Sequence, residues 1–224
     1  MRHRLYKYFT EHRWADAFLK GEVLFRSLSY FRDYEDESVR QDKNEGTSVY
    51  RPPEGLFITN HTKGTTFTLP DYAFEAAANP EEVFVFCASR SLNDELRARF
   101  EAVVCVEISK VQTFCERIRR VLPANAAFRA GRVDYYDDGE GPGARWALPD
   151  QIAISKFKSY EWQREFRFLF CLTDALGFEK GSTRLVKGDA NASRIPEHRQ
   201  YLLRARSLED ICRVHEFVKM KIST

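Results

Sequence analysis

The sequence feature that most constrains the fold is an alternating segment within residues 159–172, SYEWQREFRFLFCL. Phenylalanine occupies every second position from Phe166 to Phe170, while Glu165, Arg167 and Leu169 fall on the other face of the alternation. A period of two with aromatic enrichment is typical of a β-strand whose apolar face packs into a core. The segment therefore predicts a strand with one phenylalanine face and one charged face.

The charged face has two interpretations. Glu165 and Arg167 lie two positions apart, roughly 6.5–7 Å along a strand. They could form part of an ion-pair ladder on a solvated sheet face, since most surface charge pairs have no chemical role. Alternatively, Glu165 lines a cleft and stabilises a cationic transition state, with Arg167 beside it to hold an anion. The sequence around the strand leaves both interpretations open.

Composition places the chain in a broad class. The 224 residues are sufficient for a substantial core, and no linker, repeat or low-complexity tract divides them, so we expect one domain spanning 1–224. Charged residues make up 30% of the chain and nearly balance at net +2, which does not demand a nucleic-acid partner. The five cysteines are odd in number and include no Cys-x-x-Cys pair, so we expect reduced thiols and neither disulfides nor zinc. Apolar runs stay well short of the ~18–20 residues of a membrane span, which predicts a soluble cytoplasmic protein with no membrane partner.

Hydrophobic periodicity predicts an α+β fold, mostly antiparallel strands with a few short helices. Strands are expected at 5–10, 23–30, 83–89, 103–108, 132–136, 165–172 and 201–205, with a β-hairpin in 50–70. Helices are expected at 11–20, 71–79, 93–100, 111–122 and from residue 208 onward. The run at 83–89, VFVFCAS, is apolar on both faces and should be a central strand.

Residues 31–46 form a heavily charged segment without a core period. Acidic residues from Asp33 onward have the spacing of a calcium loop, but Ser38 stands where the turn needs glycine and Asn44 where the closing glutamate belongs. We therefore expect a solvated loop or a lid, and we expect residues 34–46 to be more mobile than the flanking strand.

Known catalytic signatures are missing from the sequence. It contains no G-x-S-x-G nucleophile elbow, no H-E-x-x-H metal motif and no glycine-rich phosphate loop. What remains is a group of polar side chains on predicted strands or at their ends. These are Lys7, Tyr8, Arg26, Ser27, Ser29, Ser89, Arg90, Glu165 and Arg167.

The order of short motifs resembles a bacterial family of unknown function. Leu5-Tyr6-Lys7-Tyr8 opens the chain, VLFRSLSYFRD follows a helix that ends at Gly21, and FVFCASRSLND and a late Lys156…Glu165-Phe-Arg167 segment come next. The match covers roughly residues 3–170. Its motifs are short, and it is their order that is specific.

The front half is also similar to ADP-ribosyltransferases that act on nucleic acids or their phosphates. These share an opening Leu-Tyr-[basic or His]-x-x-Thr strand, a short helix, a glycine and a second strand, here Leu5 to Thr10 followed by Gly21. The resemblance implies a split-sheet ADP-ribosyltransferase-like fold with NAD as substrate. It also implies that Glu165 is the catalytic residue on a late strand. The two other site positions of the superfamily would be Lys7 or Tyr8 on the first strand and Ser27 or Ser89 on a middle strand.

The resemblance also implies how the rest of the site would bind NAD. Arg26, Arg167 or Lys7 would hold the pyrophosphate, and an aromatic side chain would stack on nicotinamide. The aromatic candidates are Tyr6, Tyr8, Tyr30 and Phe31. We expect Tyr8, Ser27 and Glu165 to converge in one cleft, and we count Ser29 among the cofactor-binding residues.

Three functions follow from these observations. The first is an NAD-dependent ADP-ribosyltransferase, a toxin or phage-defence effector that modifies nucleic acid or protein. The second is a non-catalytic module that binds nucleic acid or protein through the Glu165/Arg167 face and the arginine-rich segment 194–206. The third is a metal nuclease using Asp33, Asp36 and Glu165.

Overall fold

Antiparallel strands dominate the architecture, which confirms the α+β class. The computed structural model describes residues 4–33, 44–141, 143, 146–177, 181–187 and 199–217. The strands are β1 (Leu5–Phe9), β2 (Glu22–Ser27), β3 (Thr47–Tyr50), β4 (Leu56–Asn60), β5 (Thr65–Leu69), β6 (Tyr72–Ala77), β7 (Phe84–Ser89), β8 (Val104–Ile108), β9 (Ala127–Arg132), β10 (Asp134–Tyr136), β11 (Ser155–Phe157), β12 (Glu165–Cys171), β13 (Ser182–Lys187), β14 (Gln200–Arg204) and β15 (Cys212–Glu216). The helices are α1 (His12–Leu19), α2 (Leu28–Asp33), α3 (Asp94–Arg99), α4 (Val111–Val121) and α5 (Pro149–Ile152).

β7 and β12 form the centre of the main sheet. They pair antiparallel along their length, from Glu165 opposite Ser89 to Phe170 opposite Phe84. β9 pairs with the other edge of β12, while β8 and β15 continue the sheet beyond β1, and β14 continues it beyond β2. The two most strongly patterned segments of the sequence therefore lie side by side in its middle, as their apolar character predicts.

The second edge of β7 is shared by two strands. Near the start of β7, β2 pairs with it through Arg26 and Val85, and at its end β1 pairs with it through Tyr6 and Ser89. Between these two pairings, the carbonyl oxygen of Cys87 accepts a hydrogen bond from the Lys7 Nζ at 2.9 Å. The sheet thus splits along β7, and a side chain satisfies a backbone group that no neighbouring strand pairs there.

The phenylalanine face of β12 forms the main core with α1 and α4. The Phe168 ring lies edge-on to the Phe114 ring of α4 at 4.9 Å between centroids, and the Phe170 ring stacks on Phe84 at 5.1 Å. The helix α4 forms because its apolar residues recur at helical spacing, and it ends before Pro123. On the opposite face of the sheet, smaller clusters pack beneath α3 and the turn before β12.

In the described parts of the chain, three smaller sheets accompany the main one. β3, β6 and β13 form a three-stranded sheet, β4 and β5 form the predicted hairpin, and β10 pairs in parallel with β11. The short sheet of β10 and β11 leads into a 3₁₀ helix, Lys158–Gln163, and then into β12. These connections bring β3, β11 and β12 to one side of the site described below.

Three secondary-structure predictions are wrong. The segment 71–79 contains the strand β6 instead of a helix, because β3 and β13 pair with the two edges of β6 and outweigh its local alanine-rich propensity. The second strand ends at Ser27, and the residues from Leu28 onward form α2. Instead of a helix after Ser207, the chain makes a 3₁₀ turn at Glu209–Ile211 and enters β15.

The mobility prediction for residues 34–46 concerns mainly 34–43, which lie outside the described residues. All five cysteines are free thiols. Within the described ranges, no helix has the length and apolar character needed to cross a lipid bilayer.

Candidate functional site

A cleft of about 740 Å³ opens where β1 and β2 separate along β7. It is lined by β7 and the start of β12, by β1, β2 and the residues after β2, and by residues of α1 and β14. Eight of the ten predicted site residues line it. They are Tyr6, Lys7, Tyr8, Arg26, Phe31, Ser89, Glu165 and Arg167.

The other two predicted residues, Ser27 and Ser29, do not line the cleft. Both are fully buried, and their hydroxyl oxygens lie 2.8 Å apart within hydrogen-bond distance. The Ser27 hydroxyl also accepts a hydrogen bond from the backbone N–H of Arg199 at 3.1 Å. The prediction that Ser27 converges with Tyr8 and Glu165 is therefore wrong, because Ser27 ties the end of β2 to the chain entering β14.

Glu165 lies at the floor of the cleft, bonded to two cations. The Arg167 Nε donates to the Glu165 Oε1 at 2.7 Å, and the Lys156 Nζ donates to the Oε2 at 3.4 Å. The same Lys156 donates to the side-chain oxygen of Gln163 at 2.9 Å. Glu165 is 6% exposed and Arg167 1% exposed, so the solvated-ladder interpretation is wrong.

A second carboxylate completes this network from a distant part of the sequence. Glu45, just before β3, accepts from both terminal nitrogens of Arg167 at 2.6 and 2.8 Å. The Arg167 Nη1 also donates to the carbonyl oxygen of Ala153 at 2.8 Å. Two carboxylates and two cations balance, which is the condition under which a buried ionic network is tolerated. We call Glu45, Lys156, Glu165 and Arg167 the ionic cluster.

Glu165 is ionised in this environment. Burial opposes its ionisation, but the charges of Arg167 and Lys156 outweigh burial and hold its pKa well below the ordinary value. Burial likewise opposes the charged form of Arg167, yet Glu165 and Glu45 raise its pKa well above the ordinary value. The cluster therefore keeps both charges near neutral pH.

A thiol and a phenol adjoin Glu165 and stay protonated. Burial, reinforced by the Glu165 charge, raises the pKa of the Cys87 thiol far above its ordinary value. The same two causes raise the pKa of Tyr135 to about 12. The Tyr135 hydroxyl accepts the backbone N–H of Glu165 at 2.8 Å, which fixes the first residue of β12.

The turn before β12 also positions Glu165. Arg164 has a positive φ of 45°, a left-handed conformation that is uncommon for a residue with a side chain. The Ser89 hydroxyl donates to the carbonyl oxygen of Gln163 at 2.8 Å and accepts from the backbone N–H of Ser91 at 3.1 Å. Ser89 therefore lines the cleft while its hydroxyl joins the ends of β7 and β12.

The aromatic walls are partly occupied by their own contacts. The Tyr8 hydroxyl donates to the carbonyl oxygen of Ser91 at 3.0 Å and accepts from the backbone N–H of Asn93 at 3.1 Å. Burial raises the pKa of Tyr8 to about 12. On the opposite wall, the Arg26 guanidinium lies over the Tyr30 ring at 3.9 Å. The cleft thus offers aromatic rings and cations around one carboxylate.

Sequence reasoning missed Glu45, Gln163, Cys87 and Tyr135. Glu45 lies in the charged segment, where no periodicity separates it from its acidic neighbours. The sequence predicts a strand that includes Tyr135, but the hydrogen bond of Tyr135 to β12 depends on how β10 and β11 pack. Only Lys156 had a signal, through its place in the late family-like segment.

The described residues bear only in part on the two other functional hypotheses. Because Glu165 and Arg167 are buried, they do not form an exposed binding face, and residues 194–198 lie outside the described residues. Asp36 also lies outside them. Among the described residues, no group of three or more His, Cys, Asp or Glu side chains could hold a metal ion.

The chain was compared with known protein families, curated proteins and solved structures. No protein-family model, curated protein or solved structure matches the chain.

Proposed function

We propose that this protein is an ADP-ribosyltransferase-like enzyme that cleaves NAD in the cleft and transfers ADP-ribose to a nucleic acid or protein. In this proposal it acts as a toxin or phage-defence effector. The observation that supports it best is the placement of Glu165, an ionised and preorganised carboxylate at the floor of a cleft with cationic and aromatic walls. The split of the sheet along β7 is also in keeping with the split-sheet fold that the resemblance implies.

The chemistry requires little more than such a carboxylate. The bond between the ribose C1′ and the nicotinamide nitrogen breaks, its electron pair neutralises the ring, and positive charge develops on the ribose. A fixed negative charge facing that centre stabilises the transition state without reorganisation. The acceptor then bonds to C1′ and releases its proton to solvent.

Arg167 positions Glu165 rather than binding the pyrophosphate. A guanidinium has five N–H donors, and four hydrogen bonds from Arg167 already go to Glu165, Glu45 and Ala153. This revises the role that the resemblance implied for Arg167. The pyrophosphate is better assigned to Lys7 and Arg26 on the walls of the cleft.

The size and lining of the cleft suit a dinucleotide. Its volume of about 740 Å³ lies within the range of small-molecule sites, roughly 300–1,000 Å³. Tyr6 and Phe31 on its walls could stack on a planar ring. The Tyr8 hydroxyl is already hydrogen-bonded twice, so Tyr8 contributes its ring and not its proton.

One observation favours a second candidate, a non-catalytic nucleotide-binding module. Both oxygens of Glu165 already bond to cations, as in a purely structural ion cluster. In that case NAD or a related nucleotide would bind in the cleft but remain intact.

Incubating the purified protein with NAD and measuring released nicotinamide by chromatography tests the proposal. We expect release, and a decrease of about 10²–10³ in rate for Glu165→Gln, the usual effect of removing one preorganised electrostatic contact. Glu54→Gln, at an exposed position, serves as the matched control and should leave the rate unchanged. Calorimetric binding of NAD without release would establish the binding module, and absence of both would refute the assignment of the cleft to NAD.

A further inference from the structure

A second depression lies beside the cleft, at the end of the central strands where β7 ends and β12 begins. It has a volume of about 460 Å³ and is lined by Arg90, Glu161, Trp162 and Arg164. The depression and the cleft are joined by adjacent residues. Ser89 and Glu165 line the cleft, and their sequence neighbours Arg90 and Arg164 line the depression. We call Arg90, Arg99, Trp162 and Arg164 the arginine–tryptophan patch.

The two central arginines of this patch are close together and unpaired. The backbone N–H of Arg90 donates to the carbonyl oxygen of Arg164 at 2.9 Å, so the two residues leave the sheet side by side. Both are exposed, and within the described parts of the chain neither guanidinium forms a hydrogen bond or an ion pair. Like charges opposite each other on neighbouring strands are destabilising. Arg164 adds the strain of its positive φ of 45°.

An aromatic ring lies next to these charges. Trp162 packs against Phe100 at 5.6 Å between centroids, and the Arg99 guanidinium lies over the Trp162 ring at 4.4 Å. Phe100 also lines the cleft, so the aromatic surface continues from one site to the other. Arg99 pairs with Glu95 at 2.9 Å, and Glu161 is the acidic residue in the depression, which leaves the patch with excess positive charge.

We propose that the arginine–tryptophan patch binds single-stranded nucleic acid and presents one nucleotide to the adjacent cleft. Clustered guanidiniums neutralise phosphates, and an aromatic ring offers a stacking surface to any base. The bases of a duplex could not stack on the Trp162 ring, because they are already stacked on one another. The role of the bound strand as ADP-ribose acceptor rests on the proposed function, whereas its binding does not.

Fluorescence anisotropy with a labelled single-stranded oligonucleotide, in the absence of NAD, tests this binding. We expect affinity that decreases with salt, and at least a tenfold loss in the double variant Arg90→Glu, Arg164→Glu. If each arginine contacts one phosphate, the slope of log affinity against log salt should also fall by about 1.4, at ~0.7 per contact on single strands. The matched control is Arg119→Glu, Arg120→Glu, a charge reversal of equal size on exposed residues of α4, across the sheet from Trp162.

A second variant examines stacking. Trp162→Leu should weaken binding by about fivefold to a hundredfold, the range for loss of one aromatic–base stack. Circular dichroism should show that the arginine variants remain folded, because the replaced side chains are exposed. If Trp162→Leu is unstable, the arginine variants alone test oligonucleotide binding.

The remaining outcomes overturn the proposal. They are equal affinity for a duplex of the same length, equal competition by polyglutamate, unchanged affinity in the double arginine variant, or no binding at all. NAD cleavage without oligonucleotide binding would reject only this inference. Oligonucleotide binding without NAD cleavage would reject only the proposed function.

Discussion

The two faces of β12 are equally buried but are stabilised by different interactions. On one face Phe168 is 0% exposed and packs among aromatic rings, and on the other Arg167 is 1% exposed and bonds to two carboxylates. The phenylalanine face stabilises the fold by burying apolar area, an interaction that is non-directional and tolerates changes of shape. The polar face stabilises the fold only when every buried charge keeps its partner.

This difference explains why the site lies on the polar face. Apolar packing has no preferred direction, whereas the Glu165 carboxylate is held by Arg167 and Lys156, and its backbone N–H by the Tyr135 hydroxyl, at defined distances. Chemistry at a transition state requires such fixed orientation. The aromatic face supplies a rigid support, and the ionic face supplies the geometry.

The largest expected effect comes from removing the central residue of either face. Arg167→Met should cost about 3–5 kcal/mol, because it leaves Glu45 and Glu165 buried without their main partner. Phe168→Ala should cost a similar amount, about 3–5 kcal/mol, through the cavity it creates. Urea unfolding at neutral pH measures both free energies.

Adding Glu45→Gln separates the two mechanisms. In the Arg167→Met background this change removes the uncompensated charge and leaves Lys156 paired with Glu165, so part of the lost stability should be recovered. In the Phe168→Ala background it should lower stability further, because Arg167 then loses the bidentate partner that Glu45 provides. Recovery in both backgrounds, or in neither, would contradict the distinction between the two faces.

A smaller effect should appear with pH. The pKa of Glu165 is held well below its ordinary value of about 4.5 in the folded protein, so its contribution is fully present above that value and is lost as pH falls toward the folded pKa. The stability difference between the wild type and Glu165→Gln should therefore shrink below about pH 5, by at most ~1.4 kcal/mol per pH unit. Urea unfolding between pH 7 and pH 3 measures it.

Phe168→Leu is the control for this pH dependence, since it alters the other face and adds or removes no titrating group. Its unfolding free energy should follow the wild-type pH profile at a constant offset. A Glu165→Gln profile equally parallel to the wild type would show that Glu165 gains nothing from the ionic cluster.

The smallest expected effect is at Tyr135. Tyr135→Phe removes the hydroxyl that accepts the Glu165 backbone N–H, which should cost about 0.5–1.5 kcal/mol. If the proposed function is right, the same change should slow NAD cleavage by less than Glu165→Gln, because the carboxylate remains. Thermal unfolding and nicotinamide release measure the two quantities, and a rate loss as large as that of Glu165→Gln would contradict the smaller, positioning role of Tyr135.

Local pattern alone determined much of the framework. The apolar run of β7, the alternation of β12 and the helical spacing of α4 were predicted correctly, because each pattern allows one way to bury its apolar residues. The presence of Glu165 and Arg167 on one face of β12 follows from the same period of two. Eight of the ten predicted site residues lie around one cleft, because the strands that carry most of them belong to one sheet.

Tertiary structure decided what those patterns leave open. The strand β6 forms because β3 and β13 pair with its two edges, against the helical tendency of its alanines. Glu45 reaches Arg167 across 122 positions of sequence, and Ser27 turns inward to Ser29 instead of into the cleft. An alternating pattern shows which residues share a face of a strand. Long-range packing decides whether that face contacts solvent, a cleft or an opposite charge.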